Sequence, residues 1–182
     1  CRENEVRLIH LSSDVVFDGR RGFYKESDLV NPLHEYACMK VEVERLLLGL
    51  RDVCIVRCSL IYGLDEADHG ARWMLDLLAR KESLSLFVDQ LRNPIWVETL
   101  VDALLELGES DFQGLLHVAG DQVLSRLDFG RRLLNYWGIR DWSLVKEAQS
   151  DPERWPRDLR LDLSLARSIL KTRLLGCEEV LK

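Results

Sequence analysis

The chain has 182 residues, of which 47% are hydrophobic, enough for one sizeable domain with its own core. Its net charge of −6, with both signs interspersed and no basic block, argues against nucleic acid as the main partner. No apolar run approaches the roughly 20 residues that cross a bilayer, and five cysteines without a C-x-x-C, beside four dispersed histidines, predict a cytoplasmic protein with reduced thiols and no metal site.

RLIHLSS (7–13) predicts a short buried strand. DVVFDGRRGFYKESDLVNP (14–32) is rich in glycine, aspartate and charge, and predicts a long loop of the kind that often carries function. NPLHEYACMKVEVERLLL (31–48) predicts a helix ended near Gly49, and VCIVRCSLIYG (53–63) a second apolar strand. A helix is expected over 71–80, a strand in SLSLFVDQ (83–90), a helix over 96–108 and a buried strand over 114–120. SRLDFGRRLLNYWG (125–138) predicts a helix with Ser125 as N-cap and Gly138 as C-cap. After the Pro-rich break DPERWPRD (151–158), a short helix is expected around 163–170.

Strands alternating with helices imply an α/β architecture with a largely parallel sheet. In such sheets ligands sit beyond the carboxyl ends of the strands. That rule directs attention to Ser12, Ser13 and Asp14, and to Cys58 and Ser59, which close the first two strands. On the helix over 31–48, Tyr36, Lys40, Val43 and Leu47 share one stripe, with Glu44 at its edge. A lysine in a core-facing arc needs a reason, because burying an unpartnered ammonium is costly. A free tyrosine titrates at about 10. A nearby positive charge lowers that value and makes the phenol a usable acid or base. Ser13 could then hydrogen-bond a carbonyl while Tyr36 protonates it, and a nicotinamide cofactor would have to supply the hydride. Alone, Y-x-x-x-K is a weak signal, equally consistent with ordinary helix packing.

The same residues carry a resemblance. LIHLSSDVVFDGRRGFYKESDLVNPLHEYACMKVEVE is similar to the corresponding stretch of extended short-chain dehydrogenase/reductases, most of all to their dTDP-4-dehydrorhamnose reductase (sugar nucleotide-binding) branch. VRCSLIYG, LFVDQLRNPIWVETLVDAL, GLLHVAGDQVLSRLDFGRRLL and WPRDLRLDLSLA follow in family order and extend the resemblance over nearly the whole chain. It implies a single α/β domain with a partial Rossmann-like parallel sheet, its N-terminal βα units missing, and a smaller C-terminal substrate-binding part. Core elements are expected at about 6–63 and 96–120, and substrate-binding segments at about 64–95 and 121–182.

The activity implied is reduction of the 4-keto group of a nucleotide-linked deoxysugar, with NADP or NAD as cofactor. Tyr36 would be the proton donor. Lys40 would lower its pKa and hold the nicotinamide ribose, and Ser13 would orient the carbonyl. Arg57 and Ser59 are expected near the nicotinamide, and Asp14, Asp89, Gln90 and Arg157 at the nucleotide sugar. Family members are often dimers, so a second copy of the chain is a candidate partner.

The chain departs from the family in three ways. It contains no glycine-rich G-x-x-G-x-x-G turn and no residue that would choose between NAD and NADP. The expectation is that about 90 residues, three βα units of ~30 each, precede Cys1 in a longer protein, and that the isolated chain binds dinucleotide poorly. Val15 and Leu60 replace a tyrosine and a frequent tryptophan of the sugar site, and Trp155 replaces an arginine before the proline. These departures keep open a second reading, a non-catalytic nucleotide-binding regulatory subunit like the one that associates with methionine adenosyltransferase. Plainer roles also stand beside the functional ones: an Arg157–Asp158 surface pair, a hairpin turn at Asp89–Gln90, and packing by Trp73, Trp96, Trp137 and Trp142.

Overall fold

The structure, a computed structural model, describes residues 6–65 and 69–182, so Cys1 lies outside the described residues. In chain order the elements are β1 (Leu8–Ser13), α1 (Glu35–Leu47), β2 (Val53–Cys58), β3 (Ile61–Tyr62), α2 (His69–Ala79), β4 (Leu84–Phe87), β5 (Leu91–Arg92) and β6 (Ile95–Trp96). They continue as α3 (Val97–Glu109), β7 (Gly114–Val118), β8 (Leu124–Ser125), α4 (Arg126–Tyr136), β9 (Val145–Ala148), α5 (Ser164–Ile169) and α6 (Cys177–Val180).

The parallel sheet expected from the sequence is present, with β1, β2 and β7 side by side in that order. β2 is central and every one of its residues is buried, which is why VCIVRC reads as an apolar run interrupted by Arg57 alone. β1 lies at the sheet's edge, and all of its residues except Ser12 are only partly buried. Parallel neighbours require a crossover, and α1 provides it between β1 and β2. α1 begins where His34 Nδ1 accepts the Ala37 N–H at 3.2 Å. It ends at Leu47, short of the glycine at position 49.

The predicted strand over 53–63 is two strands. The chain turns at Ser59 and Leu60, and β3 leaves the main sheet to pair with β6. β4 with β9 and β5 with β8 form further two-stranded sheets. α4 is capped as its sequence predicts: Ser125 Oγ accepts the Asp128 N–H at 2.9 Å, and Gly138 takes the left-handed conformation with φ +79°. The long loop after β1 opens with a short 3-10 turn and is tightly packed. Phe17 and Tyr24 stack at 4.2 Å, and Tyr24 Oη donates to Asp18 at 2.7 Å.

Two apolar clusters support these elements. The first covers the sheet and includes Val41, Cys54, Val56, Leu100, Leu107 and Leu116. The second joins Tyr62, Met74, Leu84, Phe129, Leu133 and Val145. Part of the segment 121–182, expected to bind substrate, also packs on the sheet. Leu159, Leu161, Leu163, Ala166, Leu170 and Leu174 belong to the sheet cluster, because the chain returns and packs α5 against β7. Gly120 makes this return possible. A Cβ there would sit 2.0 Å from the Pro94 carbonyl oxygen, so only glycine lets that backbone close over the sheet's end. Asn93 holds the junction: its Nδ2 donates to Gly120 O at 3.0 Å and its Oδ1 accepts the Leu161 N–H at 3.0 Å.

Candidate active site

At the carboxyl end of the sheet, Ser13 of β1 stands in register with Cys58 of β2. Side chains alternate along strands, so Ser12, Arg57 and His117 share one face of the sheet while Ser13, Cys58 and Val118 share the other. α1 buries Ala37, Val41 and Glu44. The predicted stripe of Tyr36, Lys40, Val43 and Leu47 was therefore one step round the helix from the true core line. Lys40, Val43 and Leu47 are partly buried at its margin, and Tyr36 is 51% exposed.

Tyr36 and Lys40 come together as their spacing predicts, but not with the predicted electrostatics. Lys40 Nζ donates to the Leu11 carbonyl at 2.8 Å and stands over the Tyr36 ring, 5.7 Å from its centroid. The expected lowering of the Tyr36 pKa is absent. Burial raises it above the ordinary phenol value, and the nearby Cys58 and Asp14 raise it further. The ammonium is committed to a carbonyl and to the ring face. The result is a phenol that stays protonated at neutral pH and can donate. Cys58 is likewise held as a thiol, pushed up to about 11 by burial first and by Asp14 second.

Ser13 Oγ accepts the Val15 N–H at 3.4 Å and donates to Asp14 Oδ1 at 3.3 Å. Among the described residues no hydrogen bond joins it to Tyr36. Asp14 is buried and is held by Ser59 Oγ, which donates to it at 2.6 Å, and by Arg92 Nε at 3.7 Å. Burial raises its pKa despite those partners. Ser59 is thus turned inward, accepting the Asn93 N–H at 3.3 Å, and ties the strand end to the 89–94 segment.

Arg57 is expected near the nicotinamide; its side chain is sealed on the Ser12 face of the sheet. There Nε and Nη2 donate to the two oxygens of Glu44 at 2.9 and 2.6 Å. Ser12 Oγ donates to the same carboxylate at 2.5 Å, and the guanidinium lies 5.0 Å from the centroid of the Phe17 ring.

Asp89 and Arg157, expected at the nucleotide sugar, pair with each other. Arg157 Nε is 2.9 Å from Asp89, which also accepts from Ser150 N at 2.9 Å. The surface pair of Arg157 with Asp158 does not form. Asp158 instead takes Arg160 at 2.5 Å. Gln90 is buried, and its carbonyl accepts the Arg126 N–H at 3.0 Å.

A cavity of about 230 Å³ between α2 and α4 is lined by Leu60, Trp73, Met74, Leu86 and Phe129 among others. Trp96, Trp137 and Trp142 pack on the second cluster as expected, whereas Trp73 is 47% exposed at this cavity. Among the described residues no group of His, Cys, Asp and Glu could hold a metal ion, and no helix is long and apolar enough to cross a membrane.

Sequence reasoning gave no role to Asn93 and placed Glu44 only at the edge of the Tyr36–Lys40 stripe. The signal for Glu44 was available. It lies one turn past Lys40, and an arginine inside an apolar strand requires a buried acid.

A family model described as the RmlD substrate binding domain matches residues 1–180. A dTDP-4-dehydrorhamnose reductase of Mycolicibacterium smegmatis is 32% identical over 175 residues, covering 92% of this chain and 53% of that protein. A dTDP-4-keto-6-deoxy-D-glucose reductase of Streptomyces niveus is 34% identical over 157 residues, covering 83% of this chain and 53% of that protein. The crystal structure of a dTDP-4-dehydrorhamnose reductase from Bacillus anthracis in complex with NADP superposes with a TM-score of 0.85 at 23% identity. That alignment covers 96% of this chain and 63% of the other, and at such identity the likeness establishes the fold. The chain spans about half the length of the curated relatives it matches.

Proposed function

The chain belongs to the RmlD substrate binding domain family, and from that premise we propose that its full-length protein is an NAD(P)H-dependent reductase of a 4-keto nucleotide-linked deoxysugar. One observation carries the reading. Tyr36 is open to solvent at the carboxyl end of a parallel sheet, with the Lys40 ammonium held over its ring by the carbonyl of Leu11, two residues before Ser13 in β1.

These residues fit the reacting end of a nicotinamide cofactor, because a protonated phenol and an ammonium stand together beside the strand that Ser13 ends. Gly19, Gly22 and Gly120 pack against the protein's own atoms and open no cradle for the cofactor's phosphates. The reduced nicotinamide, when bound, supplies the hydride that adds to the carbonyl carbon. Tyr36 Oη gives its proton to the carbonyl oxygen, which becomes the alcohol. The Ser13 hydroxyl exchanges its weak 3.3 Å contact with Asp14 for that same oxygen and orients it. Lys40 would hold the ribose of the nicotinamide, and the phenolate left on Tyr36 is re-protonated from solvent through its exposed side. The dTDP-linked relatives from Mycolicibacterium smegmatis and Streptomyces niveus support a nucleotide-linked sugar as the class of substrate.

The test is consumption of NADPH and of NADH by the full-length protein across a panel of 4-keto nucleotide sugars. Turnover with at least one of them is expected. Cofactor binding without consumption by any of them rejects the reductase reading and favours a non-catalytic nucleotide-binding subunit.

A further inference from the structure

We infer that Glu44 is a positioning residue for this reaction. Its buried carboxylate, held by Arg57 and Ser12, fixes the setting of α1 that presents Lys40 and Tyr36 at the end of β1. The inference rests on the reductase reading and assigns a role to groups that the reaction itself does not touch.

Tyr36, Lys40 and Glu44 follow one another at intervals of one helical turn and form a single stripe. Exposure falls along that stripe, from 51% at Tyr36, through partly buried Lys40, to 2% at Glu44. A step of four residues turns about 40° round the helix, so this line runs from the open side of α1 at Tyr36 to its buried line at Glu44, where the helix is pinned one turn beyond Lys40. The pin uses both oxygens of Glu44, with Arg57 on each at 2.9 and 2.6 Å and Ser12 on one at 2.5 Å. Lys40 reaches the carbonyl of Leu11, the residue before Ser12. Two consecutive residues of β1 thus receive two consecutive turns of α1. A rotation of the helix by one position, about 100°, would break both contacts together.

A fork of guanidinium on carboxylate fixes direction as well as distance. Apolar packing is non-directional and would hold the helix without choosing its azimuth. A buried ion pair contributes little net stability compared with well-packed apolar residues, so its selective effect here is on geometry.

The experiment compares three forms of the full-length protein: wild type, Glu44→Gln, and the double variant Glu44→Leu with Arg57→Leu. Each is read by thermal melting, by kcat and KM for the nucleotide sugar, and by the rate at which trace acetic anhydride acylates Lys40. Glu44→Gln should lower kcat by roughly 10- to 100-fold with KM little changed, the size expected for a misplacement of about an ångström. The double variant should recover the melting temperature without recovering kcat. In both, Lys40 should be acylated several-fold faster, because its ammonium no longer rests on Leu11. Wild-type kcat and a wild-type acylation rate in the double variant would overturn the proposal. Should that variant not fold, an unchanged acylation rate in Glu44→Gln overturns it equally. Were wild type to show no turnover at all, the reductase reading would fall, and the acylation rates would still decide whether Glu44 positions Lys40.

Discussion

Ser12 and Ser13 are neighbours in the chain and occupy two different chemical environments. Ser12 is 3% exposed and is spent on Glu44, inside a network that also holds Arg57 and packs beside His117. Ser13 ends its strand, is only partly buried, and makes only weak contacts of 3.3 and 3.4 Å. On the closed side, short directional bonds satisfy charges that water cannot reach. On the open side, a hydroxyl and a phenol are left with hydrogen-bonding capacity to give to a ligand. Ser12 and Ser13 thus point to opposite faces of one strand, one bound into the fold and the other left for a ligand, and the alternation of side chains along the strand divides them.

The first way to break that comparison is at the open side. Tyr36→Phe in the full-length protein should lower kcat by about 10²- to 10⁴-fold, the range for a lost proton donor. The melting temperature should hardly move, because the ring is half exposed. A matching loss of stability would show that the open side also holds the fold.

The closed side should respond in the opposite way. Arg57→Met leaves the Glu44 carboxylate buried without its main partner, and should cost about 3–5 kcal/mol in denaturant unfolding. A cost like that of a surface pair, below about 1 kcal/mol, would show that water enters the network.

His117 sharpens the contrast through pH. Burial first, and the Arg57 charge second, lower its pKa from 6.5 to about 3. Between those values the unfolded chain binds a proton that the folded protein refuses. Its contribution therefore makes stability fall as pH falls, by about 1.4 kcal/mol per unit. Unfolding curves from neutral to acid pH should show a shallower dependence in His117→Leu than in wild type. The smallest effect is expected far from both faces. Ser125→Ala removes the N-cap bond to Asp128 N and should cost about 1 kcal/mol in the same measurement, with kcat unchanged.

Much of this arrangement was legible in the sequence because it rests on local periodicity. The apolar runs of β1, β2 and β7, the cap at Ser125 and the Tyr36–Lys40 spacing are all properties of a few consecutive residues. The break after Cys58 was not legible, because SLIY continues the apolar run and only the long-range bond from Ser59 to Asp14 turns the chain inward. Arg57 is expected near the nicotinamide from the family resemblance, which does not say which face of the strand is sealed. Its partner Glu44 stood among several acids in the same helix, and only the packing of α1 selects it. Asp89 and Arg157 are expected at the nucleotide sugar from the family resemblance, with a turn and a surface pair as the plainer roles. Their mutual pairing joins segments that only the folded chain brings together.

The most direct test of the account follows an atom. The full-length protein would be given a 4-keto nucleotide sugar and reduced nicotinamide cofactor carrying deuterium at its transferable position, and the product would be read by NMR. The account predicts deuterium on the carbon of the former ketone, with the label transferred at least ~100-fold more slowly by Tyr36→Phe. A bound cofactor that keeps its deuterium in the wild-type protein, whatever ketone is offered, would contradict it.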